Sequence, residues 1–266
     1  MSFDIVPLEQ EHLRDVINLI TLHDEDDGES AEYDFQHGLE DHWVGLRNGK
    51  AIGITGYRQV PSTDGTGYLS WTYVHPDHTN QRIGRSLLNF VMGESRSSGT
   101  KKMFVKVSNY DDGSNVYQYG VKLYESAGFR EELTNLDFYD IGEDQVIFGL
   151  ELDTSLKESV EIKDERPTIR FDGIFNISET EGAYTFSWNV QKNPLFGPRS
   201  FTVQDLYTGL RAVHEDGGRI VFLTFPSNLP LIHKPLQEAG FKYVGSLKNY
   251  FELGIDEMHF VHRMEE

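Results

Sequence analysis

The chain has 266 residues, of which 38% are hydrophobic and 12% aromatic, and it contains no cysteine. That is enough apolar material for two ordinary cores, and it excludes global disorder, a disulfide framework, a thiol nucleophile and cysteine-ligated metal. A net charge of −19 argues against a broad nucleic-acid surface. No apolar segment approaches membrane-spanning length and no signal-peptide pattern follows Met1, so a soluble cytoplasmic protein is expected.

Phe3 to Pro7 is predicted as a strand and Glu9 to Leu22 as a helix, with Leu13, Val16, Ile17 and Ile20 at helical spacing. From Asp15 to Leu46 there is no Lys or Arg, yet ten carboxylates occur, among them Asp24, Glu25, Asp26 and Asp27. A solvated acidic loop is the plain interpretation; a negative rim that concentrates a cationic amine is the sharper one. His42 to Leu46 and Ala51 to Arg58 alternate as strands around an Asn48-Gly49 hairpin turn. A polar loop, Pro61 to Thr66, leads into the strand Tyr68 to Val74.

Pro76 stops that strand, and a short polar turn enters a helix through Ile83-Gly84, with Ile83, Leu87, Phe90 and Val91 on one face. Such a turn leaves backbone N–H groups at a helix N-terminus pointing the same way, which is a seat for a phosphate. Lys102 to Val107 is predicted as a strand, Ser114 to Ser126 as a helix closed by Gly128, and two strands complete the unit. Strands and helices alternating around a mixed sheet define an α/β (α+β) layout.

The chain also repeats itself. Ala127-Gly128-Phe129, Gly142, Asp144 and Phe148 recur as Ala239-Gly240-Phe241, Gly254, Asp256 and Phe260, each 112 positions later (240 − 128 = 112). Tyr68-Leu69-Ser70-Trp71 has a looser partner in Phe186-Ser187-Trp188, offset by 117 (188 − 71 = 117). Phe171 to Asn189 is predicted as a hairpin and about Thr202 to His214 as a helix. The second copy is shorter where the phosphate turn should be: it offers Asn193 to Ser200, in which Pro194 and Pro198 remove donors. It also has Leu236 where the first copy has Tyr124. Two copies of one fold are therefore expected: residues 1–154 equipped for a cofactor, a charged linker at 155–167, and 168–266 without a phosphate loop.

The run Tyr73 to Leu88 and the run Leu123-Tyr124-Glu125-Ser126-Ala127-Gly128-Phe129 resemble motifs A and B of the GNAT acyl-CoA N-acyltransferases. The element order over roughly residues 3 to 150 is similar to that fold, so two GNAT-like domains in tandem are expected. The resemblance implies acetyl-CoA as co-substrate. Its pantetheine arm would bond the bulged, splayed strand at Thr72, Tyr73 and Val74. Its diphosphate would rest on backbone donors of Asn80, Gln81, Arg82, Ile83, Gly84 and Arg85, with Ser86 as a small residue at the helix start.

Family members usually carry Arg or Gln three residues after the proline and glycines six and eight after it. Counted from Pro76, this chain has Thr79, Arg82 and Gly84, so the first glycine is an arginine, which could itself pair with a phosphate. The resemblance gives Tyr124, four before Gly128, the role of proton donor to the departing thiolate. Tyr117 stands where the family often has an asparagine that bonds the pantetheine, and Asn115 lies two residues out of register.

The general base is not legible: Asp111, Asp112, the acidic segment and an ordered water stay open. No metal is expected, because His75 with His78 and His259 with His262 lack a third ligand, and the acidic run misses the calcium-loop spacing. The expected activity is transfer of an acetyl group from acetyl-CoA to a primary amine of a small molecule or peptide, the acidic segment pointing to a cationic one. The alternative is a catalytically inactive acyl-CoA sensor or interaction protein on the same fold. The second copy would cover the acceptor site or make a homodimer contact.

Overall fold

The computed structural model describes residues 3–110, 116–153, 168–191 and 202–264. The linker expected at 155–167, the proline-bearing run 193–200, Asp111, Asp112 and Asn115 lie outside the described residues. In chain order the elements are β1 (Asp4–Pro7), α1 (Leu13–Thr21), α2 (Glu25–Gln36), β2 (His42–Arg47), β3 (Lys50–Gln59), β4 (Thr66–Val74), α3 (Ile83–Ser97), β5 (Lys102–Ser108), α4 (Val116–Ala127), β6 (Arg130–Asp140) and β7 (Glu143–Glu151). There follow β8 (Thr168–Asn176), β9 (Ala183–Gln191), α5 (Val203–Glu215), β10 (Ile220–Pro226), α6 (His233–Glu238), β11 (Lys242–Glu252) and β12 (Ile255–Arg263). They form a seven-stranded sheet, β1-β2-β3-β4-β5-β7-β6, and a five-stranded sheet, β11-β12-β10-β9-β8. The architecture is the expected mixed α/β, with two sheets. By internal contact the chain divides into two compact units, one of Met1–Val107, Asp111–Glu131 and Ile147–Ser155, the other of Ser108–Tyr110, Glu132–Val146 and Leu156–Glu266.

In the first unit β3 is buried almost throughout and takes helices on both faces. Val16, Leu19 and Ile20 of α1 and Ala31 and Phe35 of α2 pack with Val44 and Ile54. Ile83 and Leu87 of α3 pack with Ile52. Ile52 and Ile54 would share a face in a regular strand; the register shift opposite Gly45 and Leu46 places an extra residue there and sends them to opposite layers. Burying each such side chain contributes roughly 1.5–3 kcal/mol. The hairpin between β2 and β3 turns on Asn48 and Gly49, both with positive φ (53° and 74°), as the Asn-Gly pair predicts.

The acidic run is a helix instead of a loop. Asp24 caps α2 by accepting from the Asp27 N–H at 3.1 Å, and Glu25, Asp26 and Asp27 occupy the first turn, where the helix dipole favours negative charge. Gly28, Ala31 and Phe35 supply the buried stripe. The count of charges concealed that three-residue pattern.

A matching pair of hydrogen-bonded corners lies 112 residues apart. Asp137 and Asn249 have φ of 54° and 53°. Their side chains accept from the N–H groups of Gly142 and Gly254 at 2.7 and 2.9 Å, and their own N–H groups donate to Asp144 and Asp256 at 2.8 and 2.9 Å. The helix ends match too: Phe129 N–H donates to the Tyr124 carbonyl at 3.1 Å and Phe241 N–H to that of Leu236 at 2.9 Å.

Candidate active site

The site is built on β4. This strand pairs in parallel with β5 only at Thr66, Gly67 and Tyr68, opposite Lys102, Met103 and Phe104. Beyond Tyr68 it continues for six more residues on the β3 side alone, so the two strands part. Within the β3 ladder, Thr55 alone faces both Trp71 and Thr72: Gly56 pairs Ser70, while Ile54 pairs Tyr73. Trp71 takes φ of 31° at this bulge. A bulge bends and twists its strand, which is a direct cause of the parting. Thr72, Tyr73 and Val74 follow the bulge and are half-buried. The Thr72 hydroxyl meets that of Thr55 at 3.1 Å.

The turn after β4 is a short 3₁₀ segment, Pro76–His78, followed by two residues in left-handed conformation, Asn80 (φ 59°) and Arg82 (φ 62°, ψ 14°). Arg82 is the N-cap of α3 and makes no side-chain cap bond. The first backbone bond across the helix start runs from Ser86 N–H to the Arg82 carbonyl at 3.0 Å. Ile83, Gly84 and Arg85 thus carry the leading N–H groups, which take no partner among the described residues. Here lies the reason a glycine suits position 82: the backbone needs φ > 0 there, and a non-glycine residue adopts it at a cost of about 1–2 kcal/mol. The arginine has kept the conformation and added a side chain, which is exposed.

Gly84 answers a different need. A Cβ at this position would stand 3.3 Å from Leu123 Cδ2 on α4 and 3.4 Å from Val74 Cγ2, so the missing side chain lets α3 close on α4 and on the end of β4. The side chains of Gln81 and Arg85 are also engaged in holding the frame. Gln81 Oε1 accepts from Arg47 at 2.8 Å, tying the turn to the end of β2. Arg85 donates to Ser126 Oγ at 2.6 Å, tying α3 to the last turn of α4. The Ser86 hydroxyl donates to the Arg82 carbonyl at 3.1 Å and steadies the first turn.

Tyr124 lies in α4 with 8% of its surface exposed, edge-on to Phe129 at 5.9 Å between ring centres. Its hydroxyl makes no hydrogen bond among the described residues. Burial pushes its pKa up to about 12. A phenol in this state holds its proton at neutral pH and can donate it; it cannot serve as a base. Tyr117 falls on the first turn of the same helix.

Two residues border the end of β4: His23, which the sequence did not single out, and Asp27, which it gave only as part of the acidic run. His23, in the turn between α1 and α2, places Nε2 2.8 Å from the Val74 carbonyl oxygen. Asp27 accepts a hydrogen bond from the Tyr73 hydroxyl. Further along, Asp34 accepts from Trp71 Nε1 at 3.0 Å and pairs with Arg58 at 2.5 Å. The acidic run therefore reaches the strand that borders the opening. Its capping signal, Asp24 ahead of an acidic turn, was the one clue that this segment is ordered. His42, behind Ser70 at 3.1 Å, is held below its ordinary pKa by burial. Among the described residues no group of three or more His, Asp or Glu is placed to hold a metal ion.

Residues 10–129, spanning α1 to the end of α4, match the profile of the Acetyltransferase (GNAT) family. A stretch of 91 residues is 31% identical to the probable N-acetyltransferase camello of Xenopus laevis; it covers 34% of this chain and 39% of that protein, about two fifths of the relative's length. Similar solved structures include a putative acetyltransferase of the GNAT family from Desulfovibrio desulfuricans (23% identity, 57% of this chain and 99% of that one, TM-score 0.49). Another is the ribosomal-protein-S18-alanine N-acetyltransferase of Escherichia coli (22%, 60% and 99%, TM-score 0.48). A third is yncA of Salmonella typhimurium, solved with acetyl-CoA (21%, 60% and 99%, TM-score 0.47).

Proposed function

We propose that this chain is an acetyl-CoA-dependent N-acetyltransferase of the GNAT type, which transfers the acetyl group to a primary amine of a small molecule or peptide by direct attack. The observation that carries the proposal is the coincidence of two features: a strand pair that parts after three residues, and a helix start beside it with free N–H groups at Ile83, Gly84 and Arg85. An opened ladder exposes backbone groups that need partners, and pantetheine is an extended chain of amides able to supply them. A helix N-terminus favours the diphosphate. Thr72, Tyr73 and Val74 would bond the arm, residues 80–86 the diphosphate, and Tyr117 the pantetheine. Tyr124 would protonate the leaving sulfur, since burial keeps its hydroxyl protonated at neutral pH.

The acidic α2 beside β4 favours a cationic acceptor. The repeated corners support reading 168–266 as a second copy of the fold. A cytoplasmic setting, where acetyl-CoA is at hand, goes with this activity. One observation favours a sensor that binds acyl-CoA without turnover: the exposed Arg82 at the glycine position. Calorimetry with acetyl-CoA followed by turnover over a panel of amines separates the two. Binding with acetylation of at least one amine is expected. Binding without turnover of any amine would favour the sensor, and no binding would remove both.

A further inference from the structure

We infer that His23 is the general base of the transfer, an inference that rests on the acetyl-CoA reading above. A backbone carbonyl only accepts, so the 2.8 Å contact with the Val74 oxygen requires His23 Nε2 to carry the hydrogen. In the neutral ring the lone pair then sits on Nδ1. That nitrogen makes no hydrogen bond among the described residues. The strand that would carry the acyl arm thus also fixes the tautomer of the imidazole beside it.

The ring is further oriented by Tyr73, whose ring centre lies 5.3 Å away at a tilt of 43°. Tyr73 is held in turn by its hydrogen bond to Asp27 on α2. Facing His23, then, are the phenol of Tyr73 from β4 and, through it, the carboxylate of Asp27 from α2; Asp24 follows in the chain as the cap of α2.

In the step itself, the amine nitrogen attacks the thioester carbonyl carbon and passes one proton to His23 Nδ1. The carbon–sulfur bond then breaks, and the sulfur takes the proton of the Tyr124 hydroxyl. The imidazolium returns its proton to solvent and the phenolate recovers one. The net change is amine plus acetyl-CoA to amide plus the free thiol.

The test uses the full chain and His23→Gln, whose amide nitrogen can still donate to the Val74 carbonyl but which has no titratable nitrogen. Acetyl-CoA affinity, kcat and the pH profile of kcat at saturating amine are measured on an amine that the parent chain acetylates. Affinity within twofold of the parent is expected, with kcat lower by about a hundredfold and the acid limb of the profile lost. His23→Asn, measured alongside, should lose the same limb. A retained acid limb with kcat within threefold overturns the inference and leaves the acetyltransferase reading intact. An affinity that falls in step with kcat, the limb unchanged, also overturns it and makes His23 a structural prop of β4. Absence of acetyl-CoA binding by the parent chain overturns the reading and the inference together.

Discussion

The two strand pairs β4–β5 and β9–β10 begin alike and end differently. Each is parallel and each pairs at three positions, Thr66, Gly67 and Tyr68 in the first and Ala183, Tyr184 and Thr185 in the second. After that the bulge falls on opposite strands. In the first sheet the extra residue is on β4 itself, at Trp71–Thr72. In the second it is on the outer neighbour β8, where Asp172 lies between the pairs Phe171–Trp188 and Gly173–Ser187. The tryptophans that follow Ser70 and Ser187 turn accordingly. Trp71 donates to Asp34 on α2. Trp188 packs on Phe225 of β10 at 5.9 Å and on Phe171 at 5.2 Å. In the second sheet aromatic rings pack across the strand pair, whereas in the first the indole is tied to a carboxylate on α2. The difference is one of where a single extra residue was inserted.

The two arrangements predict different mutational costs. Phe225 is 2% exposed, and Phe225→Ala should lower stability by about 3–5 kcal/mol in denaturant melts while leaving acetyl-CoA affinity unchanged. Loss of cofactor binding in that variant would break the comparison. Tyr124→Phe should do the reverse: kcat falls about a hundredfold, with a change in stability under 1 kcal/mol, since its hydroxyl makes no hydrogen bond among the described residues. In α6 the matching Leu236 is 1% exposed, so Leu236→Tyr should cost about 1–3 kcal/mol by overpacking and give no new activity.

A smaller effect is expected at the turn. Arg82→Gly relieves the left-handed backbone but adds freedom to the unfolded chain, so a net gain of a few tenths to about 1 kcal/mol should appear in thermal melts. Its acetyl-CoA affinity sharpens the choice between enzyme and sensor: little change means that the backbone alone holds the diphosphate, whereas a large fall assigns the guanidinium to it.

The gentlest contrast is in acid. The Gly142 N–H, with Arg263 and Arg219 beside it, holds Asp137 below the usual carboxylate range. Burial alone would raise Asp256, but Lys248 at 2.6 Å and the Asn249 N–H outweigh it and hold it low as well. A depressed folded pKa stabilises above the unfolded value near about 3.9 and is lost as pH falls through the folded one. Melting temperatures taken from pH 7 to 3 should therefore decline toward the acid end, and Asp137→Asn should flatten that decline.

Much of this was legible where the controlling residue is local. Asn48-Gly49 announced its hairpin, Gly128 and Gly240 their helix ends, and Pro76 with Ile83-Gly84 the turn into α3. What escaped depends on partners far along the chain. Ser70-Trp71 and Ser187-Trp188 read the same, and only the neighbouring strand decides which way the indole goes. His23 and Val74 are 51 residues apart, and nothing in the spacing joins them. The acidic run was misjudged because ten carboxylates hid the apolar positions 28, 31 and 35 and the cap at Asp24. Position 82 shows the converse: the departure from a glycine was plain in the sequence, but that its backbone would still be left-handed was not.

Hydrogen exchange with and without acetyl-CoA tests the central claim most directly. Protection should rise at residues 72–74 and 83–85, with no change at 186–188 or at the start of α5. Equal protection in both sheets, or none at 83–85 under saturating cofactor, would contradict it.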